Sequence, residues 1–114
     1  MHEMSIVTSV LDTARDEAAK HAGSRVSKIG LRIGEWSGVD RESIRFCFDA
    51  LVSSDPRPPV LEIQFLPRQN LCTRCGELFL VKDFEIGCPA CGFTPTKPVS
   101  GDEMDIAFLE LEEA

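Results

Sequence analysis

The sequence has no run of eighteen apolar residues and no basic segment ahead of an apolar one, so neither a membrane span nor a secretory leader is expected. Cations are in the minority: 12 Lys and Arg stand against 19 Asp and Glu, a formal net charge of −7 over 114 residues. That balance argues against a nucleic-acid partner, because binding to a phosphate backbone is carried by clustered cations. Only two histidines are present, and no second histidine lies near an acid or a nucleophile in a recognisable catalytic spacing. An enzyme is therefore not expected. Internal repeats and low-complexity segments are absent apart from the short acidic end, Glu110-Leu111-Glu112-Glu113. What remains is chain enough for one domain, or a small domain with a smaller module attached, and its 43 % hydrophobic content supplies a modest core. The expected location is the cytoplasm, where five cysteines fit metal ligation plus one spare thiol, Cys47, better than any disulfide scheme.

The rest of the chain is organised around Cys72-Thr73-Arg74-Cys75 and Cys88-Pro89-Ala90-Cys91, separated by twelve residues and each followed at once by a glycine, Gly76 and Gly92. In such a knuckle two thiolates bracket a tight turn whose N–H groups point at the sulfurs, and the glycine supplies the φ > 0 residue that closes it. Four thiolates with no histidine leave no open coordination position, so Cys72, Cys75, Cys88 and Cys91 read as a structural zinc site. Two redox dithiols or two disulfides are the alternatives. No βαβ pattern surrounds either pair and no leader carries the chain to an oxidising compartment, so zinc is preferred. A zinc centre with four thiolates takes the chain to about −9 and leaves residues 67–98 at about −1, without a basic footprint.

Apolar residues at Met4, Val7, Val10, Leu11, Ala14 and Ala18 fall on one face of a helix expected over residues 4–22, with Gly23 as its stop. His21 then lies in its last turn, as a capping or surface residue. From Val26 to Gly34 the period changes to two, with Ile29, Leu31 and Ile33 on one side, which predicts a half-buried strand. Asp40 is a good N-cap for a second helix, with Val39 and Ile44 as a hydrophobic staple and Ile44, Cys47, Phe48 and Leu51 as its buried face. Cys47 on that face reads as a small buried hydrophobe rather than a reactive thiol. The proline-rich stretch Ser53–Pro59 is a stiff connection, and Leu61, Ile63 and Phe65 alternate in a second strand ending at Pro67.

Residues 67–98 carry the metal module, with Leu78-Phe79-Leu80-Val81 and Phe84 as its small apolar stretch. A core that small cannot sustain itself, and structural zinc contributes about 10–16 kcal/mol of apparent binding energy to such a fold. A third strand, Met104–Leu111, slips apolar phase between Phe108 and Leu109, as at a bulge or an exposed edge. The fold class expected is α+β, with two helices packed on a small three-stranded antiparallel sheet built from residues 1–66 plus 99–114. The zinc-ribbon-like four-cysteine module of residues 67–98 is inserted between its second and third strands. The exposed third-strand edge leaves both a monomer and a homodimer open, and the Pro67 and Pro98 junctions leave the orientation of the module open.

Met1-His2-Glu3 forms a second constellation. The Met1 amine, the deprotonated amide nitrogen of His2 and its Nδ1 close a five- and a six-membered chelate ring on one ion, and Glu3 adds its amide nitrogen or its carboxylate. Nitrogen-rich, square-planar donor sets suit Ni(II) and Cu(II), with selectivity left to availability and geometry. Taken alone this is a weak signal, since a lone His is usually just solvated.

The Met1-His2-Glu3-Met4-Ser5 opening, Leu31-Arg32-Ile33-Gly34, Phe46-Cys47-Phe48-Asp49-Ala50-Leu51, Leu61-Glu62-Ile63, both Cys pairs and Gly101-Asp102-Glu103-Met104 occur in one order along nearly the whole chain. Together they resemble the hydrogenase nickel-incorporation proteins, the HypA/HybF family of metallochaperones. The resemblance implies a nickel domain with an inserted structural zinc domain. Nickel is held by Met1, His2 and Glu3 with backbone nitrogens, and zinc by the four cysteines. It also implies a non-enzymatic role with a HypB-type GTPase, delivering Ni(II) to the large subunit of a [NiFe]-hydrogenase and in some members serving urease. The proline-rich Ser53–Pro59 connection departs from the usual glycine-containing one, and the histidine-free zinc loop offers no additional ligand. The rival reading is a zinc-ribbon module that recruits a protein partner, with Met1-His2-Glu3 incidental.

Overall fold

The computed structural model describes residues 3–85 and 87–114. Helix α1 (Glu3–Ala19) buries Ile6, Val7, Val10, Leu11, Ala14 and Ala18. The stripe matches expectation except at its start, where Met4 is 43 % exposed and lines a hollow beside the second helix while Ile6 turns inward. The helix also stops three residues early. The His21 N–H donates to Ala18 O, and Ser24 Oγ donates to His21 O at 2.6 Å, tightening the end into a turn that Gly23 closes at φ +78°. His21 therefore sits exposed in that turn, beyond the helix where it was expected.

Strand β1 (Ser24–Gly34) aims Ile29, Leu31 and Ile33 at the helices, and all three are fully buried. Helix α2 (Arg41–Leu51) starts at the expected cap, where Asp40 accepts from the Ser43 N–H at 3.3 Å and from Ser43 Oγ at 2.7 Å. The hydroxyl bond and the N–H bonds of Ser43 and Glu42 hold the Asp40 carboxyl below its ordinary pKa. Val39 packs on the cluster that contains Ile44, as a staple requires. Ile44 and Phe48 are buried and Cys47 is half-buried among the core residues, whereas Leu51 is exposed and Val52 takes its place.

Strands β2 (Val60–Leu66), β1 and β6 (Met104–Glu113) form one sheet in the order β2-β1-β6. The α+β class holds, but the sheet is antiparallel on one side only. Strand β1 runs antiparallel to β6 and parallel to β2. Helix α2 and the proline-rich connection form a crossover from the end of β1 to the start of β2, long enough for the parallel pairing that a short hairpin forbids. A bulge interrupts β6 as expected, but at Ala107 rather than between Phe108 and Leu109: Leu31 pairs with Ile106 and Gly30 with Phe108, leaving Ala107 as the extra residue.

Both helices cover one face of this sheet, their apolar stripes meeting Ile29, Leu31, Ile33 and Leu61 in a single core. The opposite face is solvated. There Arg25–Glu112, Lys28–Glu110 and Arg32–Asp105 ion pairs join residues directly opposite in the β1–β6 register. Exposed pairs of this kind favour the observed register more than they add stability.

Strands β3 (Gln69–Leu71), β4 (Leu78–Leu80) and β5 (Lys97–Ser100) form a second antiparallel sheet in the order β4-β3-β5. The apolar stretch expected to be its core does not serve as one: Leu78, Leu80 and Phe84 are exposed and Val81 is buried. Besides Val81, the buried side chains among the described residues here are Asn70, Thr96 and Arg68 together with Cys72 and Cys88, and Asn70 Nδ2 donates to Thr96 Oγ1 at 2.9 Å. Alternation explains the difference. A three-residue strand turns two of its side chains to one face, so Leu78 and Leu80 share the exposed side and only Phe79 is half-buried.

The two sheets meet where the chain leaves β1 and enters β6. Trp36 N–H donates to Gly101 O at 2.7 Å, Glu35 Oε1 accepts from the Arg68 N–H at 2.8 Å, and the Arg68 guanidinium lies 4.0 Å over the Trp36 ring. Phe84 meets the same indole edge-on at 5.5 Å. The proline junctions are thus supplemented by a web of contacts that fixes the orientation the sequence left open. Gly34 is central to it, because a Cβ there would run into the backbone of Gly101 and Asp102. Gly34→Ala is accordingly expected to cost about 1–3 kcal/mol, the range for overpacking a site whose neighbours cannot move away. Urea unfolding compared with the parent checks this.

Candidate metal centre

Strand β3 delivers Cys72 to the first knuckle, and the segment after β4 delivers Cys88 to the second. The two turns are built alike. Gly76 N–H donates to Cys72 O and Gly92 N–H to Cys88 O, both at 2.8 Å, with the glycines at φ +81° and +77°. Cys72 N–H donates to Glu77 O and Cys88 N–H to Phe93 O, so each knuckle is closed from both sides. A residue with a Cβ is strained at these φ values, which is why the sequence carries glycine there.

The four sulfurs lie within 4.8 Å of one another, with Cys72–Cys91 and Cys75–Cys88 separations of 3.6 Å. A zinc holding thiolates at about 2.3 Å sets tetrahedral edges of about 3.8 Å, so the donor set fits that ion. Cys72 and Cys88 are buried and Cys75 and Cys91 face solvent. The N–H of Cys75 points at Cys72 Sγ from 3.4 Å. Chiefly through that N–H, the Cys72 thiol is drawn down to about 7. At Cys75 the Glu77 N–H acts in the same direction, but burial and the neighbouring sulfurs of Cys72 and Cys88 prevail and push the thiol up to about 12. Four sulfurs this close repel one another once ionised, a conflict that a divalent cation among them removes. Arg74 lies 5.7 Å from the Phe93 ring centroid and ties the first knuckle to the second.

Of the other predicted ligands, Met1 and His2 lie outside the described residues. Glu3 opens α1 and is half-buried, and its Oε2 faces the Asp40 N–H at 3.5 Å, placing the carboxylate beside the start of α2. Cys47 is half-buried and does not join the four-sulfur group. Sequence reasoning missed the Glu35, Trp36 and Arg68 contacts that attach the smaller, cysteine-bearing sheet to the larger one. The signal available was the single tryptophan of the chain, placed just beyond a strand end, where a large ring left partly in solvent gains from partners such as a guanidinium. Among the described residues no helix is long and apolar enough to cross a membrane.

The family described as "Hydrogenase/urease nickel incorporation, metallochaperone, hypA" matches residues 1–111. Relatives named Hydrogenase maturation factor HypA include that of Dechloromonas aromatica, 36 % identical over 113 residues, with 98 % of this chain and 100 % of the relative covered. That of Geobacter metallireducens is 39 % identical over 117 residues at the same coverage. Among solved structures, the Ni metallochaperone HypA from Helicobacter pylori shares the fold at a TM-score of 0.64 and 22 % identity, over all of both chains. A further HypA solution structure reaches 0.71 at 23 % identity, covering 98 % of this chain and 97 % of the other. A match of this extent, on a chain whose four cysteines converge as the motif spacing requires, means that the protein belongs to the HypA family of nickel-incorporation metallochaperones for hydrogenase maturation.

Proposed function

We propose that the protein binds Ni(II) through the Met1 amine, the amide and Nδ1 of His2, and Glu3, and delivers it during maturation of a [NiFe]-hydrogenase without itself catalysing a reaction. The observation that carries the reading is the position of Glu3 at the head of α1. An amide nitrogen in the first helical turn has no i→i−4 bond to lose, so it is available to a metal at no cost to the helix. The Glu3 carboxylate already faces Asp40. The amide nitrogen of Glu3 closes a five-membered ring onto that of His2 and binds beside it, so with the Met1 amine and the Nδ1 of His2 it makes a nitrogen-rich set around Ni(II) that is not confined to one plane.

Cys72, Cys75, Cys88 and Cys91 hold a structural zinc in an inserted domain, expected over residues 67–98 and extended by β5 to Ser100, and the rest of the chain, expected as residues 1–66 plus 99–114, forms the nickel-binding domain. When bound, the zinc supplies folding energy and no open coordination position. The partners are a HypB-type GTPase and the hydrogenase large subunit, in the cytoplasm, with the free edge of β6 available for a homodimer. Nickel uptake by tag-free protein, compared with protein carrying an N-terminal extension, tests the assignment. The extended protein is expected to keep its zinc and lose nickel, and undiminished nickel affinity in it would overturn the assignment.

A further inference from the structure

Phe46 is 73 % exposed in the middle of α2, on the side turned away from Ile44 and Phe48, and so contributes little to the core. It is not isolated. Phe46, Met4 and Cys47 share a hollow of ≈ 610 Å³ with the acidic side chains Glu3, Asp40 and Glu42, where the start of α1 meets the flank of α2. Met4 adds a second exposed apolar side chain at 43 %. Asp40 and Glu42 also border a hollow lined by Arg41 and Arg45, but the two cations are engaged elsewhere. Arg41 stacks 4.0 Å over Phe65, and Arg45 donates to Leu61 O at 3.1 Å, so both cations of this helix are committed to the β2 side. The side facing α1 is left with an apolar centre and a carboxylate rim.

We propose that this surface is the docking site of a partner protein that presents lysine or arginine side chains around an apolar pocket receiving Phe46. The inference rests on the nickel reading in one respect: Glu3 belongs to both the rim and the ligand set, so a partner seated here stands directly against the ion it is to receive or supply. The chemistry of the partner follows from complementarity. An exposed aromatic at the centre of a patch is the usual anchor of an interface, and a ring of like charge selects the opposite charge and accelerates encounter in a salt-dependent manner. A second copy docking with the same face would set carboxylates against carboxylates, which excludes that occupant at neutral pH. The hollow is open enough to admit a protein surface and too exposed to enclose a small molecule.

The test uses the full-length, zinc-loaded, tag-free protein, with Phe46→Ser and Glu42→Lys as variants. Purified HypB-type GTPase and hydrogenase large-subunit precursor serve as probes, each titrated with and without nickel. Neither substituted residue is a proposed metal ligand. Phe46→Ser is expected to keep parental nickel affinity and zinc content while weakening at least one complex tenfold or more. Glu42→Lys is expected to weaken the same complex and to flatten its salt dependence. Parental affinity of Phe46→Ser for both probes overturns the docking site, as does failure of the parent to bind either. Loss of nickel affinity in Phe46→Ser assigns the patch to the metal site and overturns it equally. Failure of the parent to take up nickel refutes the nickel reading separately, because the nickel-free titrations still report on docking.

Discussion

His2→Ala is expected to retain one zinc and to lose nickel affinity by at least about 100-fold, exceeding the 10–100-fold typical of losing a partner outside the ligand set. The substitution removes the imidazole and with it the six-membered chelate ring, leaving the amine and weakly acidic amides that cannot hold the ion in a plane unaided. The buried face of α1 begins at Ile6, and the four sulfurs are supplied from the other sheet. Parental nickel affinity should itself fall with acidity, because the Met1 amine must be deprotonated and its ordinary pKa is about 7.7–8.0. Below that range each pH unit is expected to weaken binding by about tenfold for this proton alone, with the amide protons adding to the slope. Calorimetric titration at several pH values, with metal analysis of the same samples, checks both points. Undiminished nickel binding by His2→Ala would return the protein to a zinc-stapled interaction domain.

Zinc removal should have the larger structural effect. The second sheet turns Leu78, Leu80, Phe84 and Val99 to solvent and buries Asn70 and Thr96, so it lacks the apolar interior that would hold it without metal. An ion worth about 10–16 kcal/mol exceeds anything those side chains supply. Cys88→Ser, or a strong chelator, is therefore expected to unfold residues 67–98 while leaving the core cluster of α1, α2 and the first sheet, to which the described residues of that segment contribute no buried side chain. The single tryptophan reports on the event, since Trp36 is packed by Arg68 and Phe84 from the unfolding segment. A red-shifted, quenchable emission with most helical circular dichroism retained is the expected result. An unchanged emission spectrum after complete zinc removal would show that the module stands without its metal.

Local chemistry explains what could be read in advance. The period of apolar residues set both helices and β1, the Asp40 cap and its staple set the start of α2, and paired cysteines with trailing glycines set the knuckles. Each depends on residues a few positions apart, whose interactions survive almost any surroundings. The hydrogenase-maturation family was legible for a similar reason, because its motifs lie in fixed order along the chain.

Other features depended on what lay across the fold. Alternation in β2 and β6 told which face is buried but not which way each strand runs, and the parallel β1–β2 pairing came from the α2 crossover. Hydropathy marked Leu78 to Val81 as a core, yet alternation in β4 turned Leu78 and Leu80 outward and left Phe79 half-buried and Val81 buried. Residue identity therefore determined the elements, the cap and the sulfur donors. Only tertiary structure decided strand direction, the Trp36–Arg68 junction and the exposure of Phe46 beside Glu3, because each arises from groups brought together across long stretches of chain.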